Sequence, residues 1–312
     1  LKKSDKSAIY SVIDVGTNNI LLLIARRGAE LEIIERDSAT SALGKNMLQG
    51  ILQKDAIERA KKILADYIRR SQKYAAKIII IGTSCSREAK NIGDLSAWLW
   101  QDYRLPYQII SGQTEAYLNG LANQEEFPQS SKLLLFDVGG GSTEFTLIEH
   151  KKIVRYESVN IGIRRFEQKY GTNYSEIKAA ISRMLPVFGS QEKSALSLVG
   201  IGGTACSLAA LLHNLQVYDS KVVHGSFIAN NQLQNLLDNL DGMSLSELVE
   251  SLPFDRQRAD IIRLGSTIVK EIVDSFQTSG FFVSDRSLQF GVLRQSDEKL
   301  AQMLKRKEIC LK

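Results

Sequence analysis

Leu135-Phe136-Asp137-Val138-Gly139-Gly140-Gly141-Ser142-Thr143 repeats, with a longer glycine run, the earlier stretch Val12-Ile13-Asp14-Val15-Gly16-Thr17. The two aspartates lie 123 positions apart, and the residues after each are patterned alike. A second apolar alternating run comes next, Ile20–Arg26 in one copy and Glu144–Ile148 in the other. A short polar turn then leads to a third run, Leu31–Arg36 or Ile153–Ser158. Period-2 alternation with β-branched residues, broken by turn formers, predicts a three-stranded meander in each half. Ala56, Ile57, Ala60, Ile63, Leu64, Tyr67 and Ile68 recur at three-and-four spacing, which predicts an amphipathic helix. Its counterparts in the second half are Arg164–Tyr170 and Tyr174–Phe188. Each half then returns to an apolar strand ending in glycine, Ile78–Gly82 and Ser197–Gly200. The order β-β-β-α-β is used twice. The expected fold is therefore α/β, two duplicated domains with a cleft between them. A polar stretch, Gln124–Lys132, separates the halves and places the domains at 1–125 and 126–312. The amphipathic stretch from Ser296 is expected to dock back on the first half.

Glycine inside a β-hairpin costs conformational entropy and supplies no packing. Three in a row at Gly139-Gly140-Gly141, followed by Ser142, gain instead a set of backbone amides unobstructed by Cβ atoms, which can form an anion-binding concavity. Gly202-Gly203-Thr204 opens a helical segment, Ala205–Leu212, whose N-terminus also favours an anion. Phosphate is the natural candidate. The aspartates before these loops would then hold a divalent cation, because Mg²⁺ prefers carboxylates combined with substrate phosphates. Neither GxxxxGK[ST] nor GxGxxG follows any strand.

The 312 residues hold 40 Lys+Arg against 35 Asp+Glu, a formal net charge of +5, with 44% hydrophobic residues. That composition excludes intrinsic disorder. No apolar run nears the ~18 residues of a membrane span, and Leu1–Lys6 lacks the apolar core of a signal peptide, so a cytoplasmic protein without membrane contact is expected. Cys85, Cys206 and Cys310 form no CxxC, and His150, His213 and His224 show no ligand spacing, which argues against a disulfide scaffold or zinc site. Basic pairs such as Arg26-Arg27, Arg69-Arg70 and Arg164-Arg165 read as solvated faces or as a rim that steers a polyanion. Without interleaved aromatics or a recognisable module, nucleic acid is not expected as that polyanion.

Five segments together resemble the exopolyphosphatase / guanosine pentaphosphate phosphatase family, within the actin-like superfamily that also holds acetate and sugar kinases. They are Ile13–Asn19, Gly82–Asn91, Ile110–Ala116, Phe136–Glu144 and Val283–Leu293, with Asn160–Phe166 and Arg258–Ile262 in support. They span nearly the whole chain in the family's order. The departures are small: Thr17-Asn18-Asn19 stands where the family often has Ser-Asn-Ser, and Thr114 where it places a second acid. The chain also resembles the short form, without a C-terminal helical extension.

The resemblance implies hydrolysis of a terminal phosphoanhydride, in inorganic polyphosphate or alternatively in guanosine pentaphosphate, by a homodimer using Mg²⁺ or another divalent cation; a sensor that binds polyphosphate or the alarmone without hydrolysis is the remaining alternative. Glu115 matches the catalytic base, and Asp137 and Glu144 match acidic residues of the metal and phosphate chemistry, with Asp14 as a further metal ligand. Arg87 faces the phosphate chain by the same carry-over. Thr17, Asn18 and Ser84, the loop Gly139 to Ser142, and Gly202, Gly203 and Thr204 complete the phosphate-binding set. Such a reaction already has a good leaving group, so positioning and electrostatics suffice for most of the catalysis. Read from the residues alone, Glu115 in a first helical turn can equally serve the helix dipole.

Overall fold

Two β-sheets organise the chain, and each grows from one copy of the repeat. The structure, a computed structural model, describes residues 8–127, 129–185 and 196–305. In the first copy β1 (Ile9–Val15), β2 (Asn19–Arg27) and β3 (Leu31–Thr40) form the antiparallel meander. Helix α1 (Lys54–Lys73) follows, then β4 (Lys77–Gly82), α2 (Ser84–Glu88), α3 (Gly93–Tyr103) and β5 (Tyr107–Ile109). The strand order is β3-β2-β1-β4-β5, with β4 parallel to β1 and β5 parallel to β4.

Helix α4 (Gly112–Asn123) leads to the second copy: β6 (Lys132–Val138), β7 (Thr143–Glu149), β8 (Lys152–Val159), α5 (Ile163–Tyr170), α6 (Tyr174–Met184) and β9 (Leu196–Ile201). Then come α7 (Gly202–Leu212), α8 (Ser220–Val223), β10 (Phe227–Ala229), α9 (Asn230–Gly242), α10 (Leu245–Ser251), α11 (Ile262–Phe276), β11 (Gly280–Ser284), α12 (Leu288–Leu293) and α13 (Asp297–Lys305). The second sheet runs β10-β11-β9-β6-β7-β8, again a meander extended by parallel strands, β9 and β11, with β10 antiparallel to β11 at the edge. Equivalent registers mark the duplication. Asp14 pairs with Ile81 as Asp137 pairs with Ile201, each aspartate one residue before the end of its central strand.

Contacts divide the chain into two units, Leu1–Thr114 with Gln289–Lys312, and Glu115–Leu288. The division falls inside α4, whereas the sequence reading places it after residue 125. In the first unit α1 lays Ala56, Ile57, Ala60, Leu64, Tyr67 and Ile68 on the sheet beside Ile13, Leu22 and Ile80. Each large apolar side chain among them stabilises the fold by about 1.5–3 kcal/mol through burial. Ile63, expected on that face, is only partly buried. The C-terminal segment is tied to this unit by Gln289 Nε2 donating to Val12 O at 2.8 Å, by the Arg27–Asp297 ion pair, and by Gln108 donating to Met303 O. The second unit packs α7 and α11 on its sheet around Phe136, Phe145, Leu208, Ile268 and Phe281.

Boundaries shift by a few residues from the sequence reading. The third strands run on to Thr40 and Val159, and α7 begins at Gly202 rather than Ala205. Pro128, the Leu1–Lys6 segment, residues 186–188 of the expected Tyr174–Phe188 helix, and Cys310 lie outside the described residues.

Candidate active site

In the second unit, Asp137 on β6 stands directly opposite Glu144 on β7, and Glu144 directly opposite Ser158 on β8. Directly paired residues share one face of a sheet, with Cβ atoms about 5 Å apart, and like charges so placed are destabilising. Hydrogen bonds nonetheless hold the row together. Glu144 is 3% exposed, and its Oε1 accepts hydrogen bonds from Ser142 Oγ at 2.6 Å and Ser158 Oγ at 2.7 Å. Burial, then the nearby charges of Glu115 and Asp137, push the Glu144 carboxyl well above the usual range, and the two serine hydroxyls offset this in part. Burial raises Asp137 to about 6, opposed by Asn119, whose Nδ2 donates to Asp137 Oδ2 at 3.0 Å.

Glu115 and Asn119 reach this row from α4, which is fastened to the same sheet. Ser111 Oγ accepts the Thr114 N–H at the helix start. Thr146 Oγ1 donates to Ala116 O at 2.6 Å, and Gly120 lies so close to β7 and β8 that a Cβ there would stand 2.8 Å from Thr146 Cγ2 and 2.7 Å from Ile153 Cδ1. Glu115 lies in the first turn, as its position in the sequence predicts, and is buried there.

The triple glycine forms the β6–β7 turn, with Gly139 N–H donating to Ser142 O at 3.0 Å. The start of α5 occupies its carbonyls: Ile163 N–H donates to Gly139 O, the Arg164 and Arg165 amides donate to Gly140 O, and Arg165 Nε donates to Gly141 O at 2.7 Å. A planar trans peptide sets each N–H opposite the preceding C=O. With three successive carbonyls turned to α5, the amides of Gly140, Gly141 and Ser142 point the other way as a row. A row of backbone amides of this kind has the chemistry that suits an anion.

A second amide cluster opens at α7. Gly202 has φ +78°, and a Cβ on it would overlap Asp137 Oδ1, so the Asp137 carboxylate lies against the start of this helix. The Arg258 guanidinium rests on Gly203 and pairs with Asp255, Nε to Oδ2 at 2.8 Å. Thr204 is 1% exposed, with its methyl and hydroxyl packed beside Gly265 of α11. At Gly202-Gly203-Thr204 the backbone amides, rather than the threonine hydroxyl, are the groups suited to an anion.

The first unit gathers the remaining expected residues at the parallel ends of β1 and β4. Asp14, Thr17, Asn18 and Ser84 are all buried. Thr17 O accepts from Gly44 N–H, Asn18 O from the Ser41 and Ala42 amides, and Ser84 Oγ donates to Glu88 Oε1 at 3.1 Å. Arg87, half-buried on α2, donates to Ile110 O at 3.0 Å. Burial raises the neighbouring Cys85 thiol to about 11, so it is no nucleophile at neutral pH.

Asp14 thus stands in the first unit, and Asp137 and Glu144 in the second. Among the described residues no three His, Cys, Asp or Glu side chains are gathered as a metal site on their own. The donor chemistry of Asp137 and Glu144 still suits a hard divalent cation: a half-buried and a buried carboxylate whose charges repel, which an ion between them would relieve. Mg²⁺ is commonly held by one or two carboxylates completed by phosphate oxygens and water.

Asn119 and Ser158 join the site without any motif to mark them, and become visible only through the helix and strand registers. Gly162 and Arg258 lie in segments that carry the family resemblance, but their contacts with the glycine loops emerge only in three dimensions. The basic clusters are largely neutralised: Arg26 pairs with Glu32, Arg69 with Asp66, Arg70 with Glu35, Asp37 and Asp66, and Arg164 with Glu167 and Asp260. His224 is fixed by the Asp285 N–H, donated to Nδ1 at 3.2 Å, and by Glu126 at 3.4 Å from Nε2, which fits a structural role. No helix among the described residues is long and apolar enough to cross a membrane.

Residues 23–300 match the model of the Ppx/GppA phosphatase family. The chain is 30% identical to the bifunctional 3-dehydroquinate synthase/phosphatase of Fusobacterium nucleatum, over 96% of this chain and 48% of the relative, so it spans about half of that protein. It is 29% identical to exopolyphosphatase 2 of Mycobacterium tuberculosis, over 84% of this chain and 89% of the relative. Among solved structures, the Aquifex aeolicus PPX-GPPA enzyme superposes with a TM-score of 0.76 at 25% identity, covering 93% of this chain and 99% of the other.

Proposed function

The chain belongs to the Ppx/GppA phosphatase family, and from that premise we propose that it is an exopolyphosphatase, hydrolysing the terminal phosphoanhydride of inorganic polyphosphate to release orthophosphate. The observation that supports this best is the joining, within one unit, of two buried acids, Glu115 and Glu144, and the half-buried Asp137 with the glycine turn whose carbonyls are taken up by α5.

The amides of that turn and the first amides of α7 receive the terminal phosphate, whose charge spreads over its equatorial oxygens as the bridging bond breaks. We assign Arg87, Thr17, Asn18 and Ser84 to the phosphate chain as well. Glu115 orients the attacking water and takes its proton, a contribution typically of ~10²–10⁴-fold. Asp137 and Glu144, with Asp14 as the third candidate, would hold the divalent cation. A bound Mg²⁺ supplies neutralisation of charge on the phosphate oxygens. Ser142 and Ser158 keep the Glu144 carboxylate in place, and Asn119 does the same for Asp137.

A cytoplasmic homodimer completes the proposal, with the dimer open to test by sedimentation. Guanosine pentaphosphate ends in the same type of phosphoanhydride and is the alternative substrate. The test is phosphate release from polyphosphate, guanosine pentaphosphate and ATP with Mg²⁺, using Glu115→Gln alongside the native protein. A loss of more than tenfold in the variant, with an unchanged circular dichroism spectrum, is expected. A near-normal rate would remove Glu115 from the chemistry, and a preference for guanosine pentaphosphate would favour the alternative.

A further inference from the structure

Asn119 lies one helical turn beyond Glu115 on α4 and is 1% exposed. Its Nδ2 donates to Asp137 Oδ2 at 3.0 Å, while its Oδ1 has no hydrogen-bond partner among the described residues. A buried amide oxygen without a donor is costly, and native proteins rarely leave one without a reason. Glu115 and Asp137 are the charges that act on Glu144, and carboxylates add acceptors and no donor when ionised.

An octahedral ion with oxygen ligands at about 2.0–2.1 Å places adjacent ligands about 2.9 Å apart. The Asn119–Asp137 separation of 3.0 Å is close to that edge. A half-turn of the terminal amide exchanges Nδ2 and Oδ1 almost in place, since the two atoms are nearly equivalent in shape and differ only in what they can face. In the present orientation Oδ1 forfeits no hydrogen bond by moving.

We propose that Asn119 is a ligand of the divalent cation: without the ion its amide nitrogen holds Asp137, and with the ion the amide turns over and presents Oδ1 beside Asp137 Oδ2. This adds a neutral oxygen to carboxylates that do not form a metal site by themselves. It rests on the reading of this unit as a cation-assisted phosphatase centre.

Mn²⁺ bound to the full-length protein without substrate, observed by electron–nuclear double resonance after labelling with [4-¹³C]asparagine, tests the assignment. The expected result is a ¹³C coupling that vanishes in Asn119→Leu, together with at least tenfold weaker Mn²⁺ binding. Asn119→Asp, nearly isosteric and retaining an oxygen ligand, should bind Mn²⁺ while losing the labelled coupling, which guards against a folding defect in the leucine variant. A coupling that is absent, or that persists in Asn119→Leu, overturns the proposal. Absence of Mn²⁺ binding overturns it together with the cation reading, and phosphate release by the same preparation then decides whether the hydrolase reading stands. Binding lost in Asp137→Asn but unchanged in Asn119→Leu overturns the Asn119 assignment alone.

Discussion

Gly162 and Gly141 touch backbone to backbone: a methyl group on Gly162 would overlap the Gly141 carbonyl carbon and stand 2.6 Å from its Cα. Neither segment can yield as a side chain would, because Gly141 O is also held by Arg165 and Gly140 O by two amides of α5. Gly162→Ala is therefore expected to tilt the triple-glycine turn and misdirect its amide row. Phosphate release should fall more than tenfold, mainly through weaker binding of the phosphate end. The split between kcat and KM, with inhibition by orthophosphate, checks it, and unchanged inhibition would show that the turn tolerates the methyl.

Asp137 titrates near 6 in the folded protein against an ordinary 3.8, because burial disfavours its charge. The folded state therefore binds this proton more tightly than the unfolded chain. Its stabilising contribution is complete below pH 3.8 and is lost as pH rises through about 6. In the absence of divalent cation, Asp137→Asn should melt above the native protein at pH 7.5, and the gap should close toward pH 4. Mg²⁺ should raise the native melting temperature more at pH 7.5 than at pH 5, because the ion selects the ionised carboxylates. Melting curves at these pH values with and without Mg²⁺ decide it. A variant that melts lower at every pH would contradict the sign.

Gly120 lets α4 settle on Thr146 and Ile153. Gly120→Val would overpack that contact at a cost of about 1–3 kcal/mol, despite the better helix propensity of valine. Lifting α4 carries Glu115 and Asn119 away from Asp137 and Glu144 together. The expected outcome is a lower melting temperature with kcat reduced at least tenfold. Restoration by Ile153→Ala in the same chain would identify the contact responsible.

His224 accepts the Asp285 amide and meets Glu126, so its ring is committed to holding the turn after β11. Asn at this position can keep an acceptor near the place of Nδ1. His224→Asn should leave kcat within twofold and the pH profile unmoved. His224→Ala should cost about 1–2 kcal/mol by leaving a donor unpaired. A shift in the pH–rate profile of either variant would bring the imidazole into the chemistry.

The duplication is legible because its markers are local. An aspartate before glycine at a strand end, alternation at period two, and a helical stripe such as Ala56 to Ile68 can each be read within a few residues. Glu115 can be placed in a first helical turn for the same reason. Ser158, on an edge strand with no motif, acquires its role only because β8 aligns with β7. Asn119 matters through a carboxylate 18 residues away in sequence, and Gly162 through the backbone of a different element. Thr204 shows the converse case: a hydroxyl at a helix start looks ready for phosphate, yet α11 takes it into the core. Short β10, and β11 beside β9, escape a reading by periodicity, since five residues or fewer offer little of it and their pairing partners lie far along the chain.

The hydrogen bond from Gln289 to Val12 joins residues separated by 277 positions, with the entire second unit between them. During synthesis, a ribosome has made the first strand long before it makes the segment that completes its packing. The intervening unit is one continuous stretch of chain, so it can close while the earlier one is still waiting. Closing a loop of this length costs entropy that grows only slowly with its size, but the waiting time leaves apolar strands open to other chains. The order of birth along the polypeptide is thus not the order of completion, and the oldest part of the molecule is finished last.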